Sequence, residues 1–64
     1  MTKLAIETFF YWDGTKNVTV AAGDQRTDLH ADVTQAPGSF VNDPPATLAE
    51  LARVPSTIRE ARGF

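Results

Sequence analysis

His30, with Asp28 and Asp32 two residues to either side, is the one place in this chain where an imidazole and two carboxylates are close enough in sequence to suggest acid–base chemistry or metal ligation. The spacing argues against both. Residues two apart do not share a face of a helical turn, and a catalytic zinc takes three protein ligands in a fixed geometry. His30 is therefore read as a structural residue that caps or bonds backbone. The wider acidic set of Asp24, Asp28, Asp32 and Asp43 offers hard oxygen donors, but it lacks the alternating-ligand loop with central glycine and closing glutamate that calcium requires. Solvated loop, turn and cap carboxylates are the preferred reading. Ser39, Ser56 and the threonines have neither a second histidine nor a glycine-rich elbow to activate them, there is no phosphate loop, and Cys is absent. The residues assign no catalytic group, no metal and no cofactor.

Arg53, Arg59 and Arg62 make the last third locally basic, partly offset by Glu50 and Glu60. Positive charge near a helix C-terminus is favourable without any ligand, and an acidic protein neighbour suits these arginines better than DNA. The formal net charge is -2 with both signs interspersed, so the basic stripe of a nucleic-acid binder is missing and no direct nucleic-acid contact is expected. The longest apolar runs, Leu4 to Ile6 and Phe9 to Trp12, fall far short of the roughly 18 residues of a membrane span. Neither a signal-peptide core nor a cleavage site stands at the N-terminus. A soluble chain made in the cytoplasm is expected.

Four consecutive aromatics, Phe9, Phe10, Tyr11 and Trp12, supply the chain's most conspicuous surface. A strand presents alternate side chains to opposite faces, so both faces of this one carry large apolar groups, more than a half-exposed hairpin needs. Sixty-four residues make one small domain, and a chain of this size buries only roughly 60% of its unfolded surface. Without disulfides, docking or oligomerisation is the remaining source of stability.

The elements follow from the turn signals. A first strand carries Leu4, Ile6, Phe10 and Trp12 on one side and Phe9 and Tyr11 on the other. It turns at Asp13-Gly14 and returns through Asn17 to Ala22. A three-residue loop from Trp12 to Gly14, with Gly14 left-handed in a bulge, pairs Thr8 with Val18 and Ile6 with Val20. That register gathers Leu4, Ile6, Phe10, Val18 and Val20 on one core face. Gly23-Asp24 ends the return strand, and Asp24 to Asp28 reads as a turn. Leu29 to Val33 follows as one helical turn capped by Thr27 or Asp28. Pro37-Gly38 turns the chain into Ser39-Phe40-Val41, a short third strand. After Asn42-Asp43-Pro44-Pro45, two capping boxes, Thr47 to Glu50 and Thr57 to Glu60, announce short helices separated by Pro55, with Gly63 as a terminator. Helices this short need a surface to dock on. The expected fold is small α+β, mostly β: a β-hairpin module over residues 1–42 and a C-terminal extended arm, residues 43–64, carrying one or two short helices.

From Gly14 onward the order is hairpin, Gly23-Asp24, a polar stretch with Asp28, then His30-x-x-Val33-x-x-x-Pro37-x-x-Phe40. This resembles a group of very short proteins encoded in the head and structural gene modules of tailed bacteriophages, particularly those of actinobacteria. The match covers somewhat under half of the chain, and Ala31 stands where that group usually has proline. The resemblance implies a virion component, a minor capsid or cement (decoration) protein bound to the major capsid protein or other virion proteins in many copies of a symmetric assembly, and not an enzyme. A head–tail connector component is the alternative within that group, and a small regulatory or inhibitory binder of a host protein is the alternative outside it. Under the resemblance, His30, Val33, Pro37 and Phe40 set the fold; the turns and the register add Phe10, Gly14, Val18, Val20 and Gly23 as structural residues. Phe9, Tyr11, Trp12, Leu48, Leu51, Ile58 and Phe64 are the expected partner contacts.

Overall fold

The computed structural model describes residues 1–64. The strands β1 (Thr2–Ala5), β2 (Phe9–Trp12), β3 (Asn17–Val20), β4 (Gln25–Thr27) and β5 (Phe40–Asn42) are joined by three helices, α1 (Ala31–Gln35), α2 (Leu48–Arg53) and α3 (Ser56–Arg62). A 3-10 turn at Pro37–Ser39 leads into β5. The fold is small α+β as expected, although helical residues slightly outnumber strand residues.

β1 is the middle strand of an antiparallel sheet ordered β4-β1-β5, and β2 pairs with β3 in a separate hairpin. Adjacent residues of a strand point to opposite faces, and β1 uses both. Leu4, opposite Val41 in the ladder, packs with Val54 and Ile58 in one core, with Ile6 at its margin. Ala5, opposite Phe40, packs with Val20 and Val33 in the other, where Phe9 closes the side. The sheet is thus a middle layer, with the C-terminal helices on one face and the hairpin with α1 on the other. Val54 and Ile58 bring residues 43–64 back onto the sheet, so this segment does not extend away as an arm; burying these two side chains gives the short helices the docking they need.

The first strand is interrupted. At Ile6 the chain leaves β1, with Ile6 N–H donating to the Ser39 carbonyl at 2.9 Å, and it resumes as β2 at Phe9. The hairpin register also differs from the expectation. Phe9 pairs with Val20 and Tyr11 with Val18, which leaves a loop from Asp13 to Lys16. One Asp13 carboxylate oxygen accepts the N–H groups of Thr15 and Lys16 at 2.7 and 2.8 Å, and Gly14 takes a positive φ of 101°, which suits glycine. This loop puts the valines behind the odd-numbered aromatics. Phe10, expected in the core, points outward and is 74% exposed. The parity of the strand is preserved. Leu4 is covered in β1, where both faces of the sheet meet protein near its end, whereas Phe10 and Trp12 are uncovered in β2, where only one face does.

β4 was not anticipated in the polar run from Asp24 to Asp28. Its three residues, Gln25, Arg26 and Thr27, pair with Leu4, Lys3 and Thr2. A short polar strand at the sheet edge is typical of how edges are blunted against further pairing.

Candidate functional site

The residues singled out for chemistry do not converge. His30 is the N-cap of α1, its Nδ1 accepting the Asp32 N–H at 3.0 Å; neither Thr27 nor Asp28 takes that role. Asp24 accepts the Ala21 N–H and lies 3.6 Å from Arg26. Asp43 receives two hydrogen bonds from Arg62, at 2.5 and 2.6 Å, and one from Gln25. No group of three His, Asp or Glu side chains is placed to hold a metal ion, and no helix is long and apolar enough to cross a membrane.

Asp32 is the most enclosed of the carboxylates, 3% exposed. Tyr11 Oη donates to its Oδ1 at 2.5 Å and Arg26 Nε donates to its Oδ2 at 2.8 Å. Burial alone raises a carboxyl pKa. Here the hydrogen bonds from Tyr11 and Arg26, with the neighbouring His30 and Arg26 charges, outweigh it, and the group is held below the ordinary aspartate range. On the other side of the contact, the hydrogen bond to Asp32, helped by burial, pushes the Tyr11 phenol up. This network ties hairpin, sheet edge and α1 together. Every strong donor near the carboxylate is spent on the scaffold, so its position is structural.

The exposed features are apolar. Phe10 and Trp12 share the outer face of β2, and Trp12 is 62% exposed. Phe9 and Tyr11, expected as partner contacts, are half-buried against the inner side. Their rings stack with centroids 6.4 Å apart, and Phe9 meets the buried Phe40 ring edge-on at 5.8 Å. On the far side of the sheet, Pro44, Pro45, Leu48, Leu51 and Phe64 line an open groove of about 360 Å³. Leu48 is 84% exposed, and Leu51 is half-buried. The Arg62 guanidinium lies over the Phe64 ring, 5.6 Å from its centroid. Ile58, expected as a partner contact, belongs to the core, because α3 begins at Ser56 and turns that side chain toward Leu4.

The remaining fold-setting residues are placed as follows. Val18 and Val20 line the inner hairpin face, and Val20 is buried with Val33 and Phe40. Gly23, at φ 95°, donates its N–H to the Ala5 carbonyl at 2.8 Å. Pro37 opens the 3-10 turn. The Asp32–Tyr11–Arg26 contact escaped sequence reasoning because 21 positions separate Tyr11 from Asp32. The one available hint was an aspartate two residues into a helix on a segment that also supplies core. No family model, curated protein or solved structure matches the chain.

Proposed function

We propose that this chain is a non-enzymatic docking protein, a virion structural component of the minor capsid or cement type that binds the head lattice in many copies. The observation that carries the reading is the outward pair Phe10 and Trp12: two large aromatic side chains, both mostly exposed, on a rigid hairpin whose inner face is already packed. Aromatic anchors of this kind are enriched where proteins meet proteins. The apolar groove beside Leu48 and Phe64 adds a second contact surface on the opposite flank, which suits a part that bridges neighbours in a lattice. The resemblance over Gly23-Asp24, His30, Val33, Pro37 and Phe40 supplies the virion context.

The experiment is quantitative mass spectrometry of purified particles from a phage that encodes this chain. A cement protein appears in many copies per particle and is lost when Trp12 is replaced by Ala. Recovery of the chain only in the host lysate, bound to a host protein, would replace this reading with that of a small regulatory binder.

A further inference from the structure

Almost every charged side chain of this protein has a hydrogen-bond or ion-pair partner within the chain. Lys3 bonds Asn42, Glu7 accepts from Ser39, Glu50 accepts from Ala46 and Asn42, and Arg53 donates to the Gly38 carbonyl. Asp24, Arg26, Asp28, Asp32, Asp43 and Arg62 are in ion pairs. Lys16, Arg59 and Glu60 are the charged side chains without any such partner, and Asp13 bonds only the backbone of its own turn. These four fall in two places. Asp13 and Lys16 are in the hairpin loop beside Trp12. Arg59 and Glu60 line a polar depression of about 430 Å³ that shares Phe64 with the apolar groove, and the Arg59 Nε is buried there with nothing to donate to.

Each place therefore combines an apolar feature with one free cation and at least one carboxylate. One feature projects and the other is concave. The hairpin packs on the Ala5 face of the β4-β1-β5 sheet and the C-terminal segment on the Leu4 face, so the hairpin of one molecule is held away from its own groove.

We propose that the partner of the hairpin face is a second copy of this chain: Phe10 and Trp12 of one molecule seat in the groove formed by Pro44, Pro45, Leu48, Leu51 and Phe64 of the next. Asp13 then faces Arg59, and Lys16 faces Glu60. The inference rests on the docking reading and makes the neighbour bridged by these two surfaces another of the many copies of this chain. Because the two surfaces differ, the contact is heterologous and each added copy exposes a fresh hairpin and a fresh groove, so growth is head-to-tail. Two aromatic rings bury about 150–250 Å² each, which puts the contact at the small, reversible end of protein interfaces.

Sedimentation velocity of the purified full chain over a wide concentration range tests this. Wild type shows concentration-dependent growth beyond a dimer, with a blue shift of its single tryptophan. Trp12→Ala and Leu48→Glu, both exposed positions whose folding is checked by circular dichroism, each weaken association at least tenfold. An equimolar mixture of the two variants forms a dimer that grows no further, because one supplies the groove and the other the hairpin. A wild type that stays monomeric throughout, a mixture that does not pair, or a Leu48→Glu protein that still dimerises through its own Trp12 would each overturn the proposal. Those outcomes leave the particle measurement untouched, so failure of self-pairing and failure of the virion reading are told apart.

Discussion

Tyr11 on the hairpin donates its hydroxyl to Asp32 on α1 across 21 positions of sequence, at 2.5 Å. This bond joins the hairpin to the helix beneath it, and its acceptor is buried and also held by Arg26. Replacing Asp32 with Ala strands both donors. Loss of a buried, hydrogen-bonded charge of this kind costs about 2–4 kcal/mol, to be read from urea unfolding monitored by circular dichroism. Tyr11→Phe destabilises in the same direction and by less, because Asp32 keeps its Arg26 partner.

The same pair gives the protein a signature at each end of the pH scale. The folded pKa of Asp32 lies below its unfolded value, so between the two the unfolded chain binds the extra proton. The stabilisation is fully present above about pH 4 and is lost as pH falls through the depressed folded value. Asp32→Asn flattens this part of the acid-unfolding curve.

Tyr11 behaves in the opposite sense. Its phenol is raised, so the stabilisation is present below the ordinary tyrosine value of about 10 and is lost as pH rises through the folded one. The chain has a single tyrosine, and its ultraviolet titration midpoint should fall back toward the ordinary value in Asp32→Asn.

The aromatic residues separate sharply in cost. Phe40, buried with Ala5, Val20 and Val33 and flanked by Phe9, should cost about 3–5 kcal/mol on replacement by Ala. Phe10→Ala and Trp12→Ala, at exposed positions, should change the stability of the monomer by no more than about 0.5 kcal/mol. Thermal melts of the three variants at low protein concentration make the comparison.

The two threonine boxes of the C-terminal segment also diverge. Thr47 caps α2, its Oγ1 accepting the Glu50 N–H at 3.1 Å, while the Glu50 carboxylate accepts from Ala46 at 2.6 Å. Thr47→Ala should cost about 0.5–2 kcal/mol. Thr57 lies inside α3, which starts at Ser56 with Pro55 at its N-cap and no side-chain cap bond, so Thr57→Ala should be close to neutral.

These contrasts show what the sequence made legible. Turn and cap chemistry is local, and Gly14, Gly23, Pro37, Thr47 and Gly63 all mark real turns or ends. The alternation of Leu4, Ile6, Phe10 and Trp12 was equally visible, but which side of a strand is covered depends on the layer lying over it. That layer is supplied by Val33, Val54 and Ile58, tens of residues away. The Asp13 loop shifted the register because its side chain bonds two backbone N–H groups, adding residues to the turn that Asp13-Gly14 alone suggests. β4 carries no hydrophobic signal, since an edge strand of Gln, Arg and Thr buries little.

The position of β1 also has a consequence for the order in which the chain assembles. The hairpin closes over a short stretch and can form on its own timescale, as local contacts generally do. β1 can complete neither ladder until Gln25–Thr27 and Phe40–Asn42 are present, and its Leu4 side stays bare until Val54 and Ile58 arrive. On the ribosome, β1 therefore waits until the residues through Ile58 have been made. Folding becomes a single late step governed by the closure of long loops, and a chain cut before Val54 leaves Leu4 and Val41 without their cover.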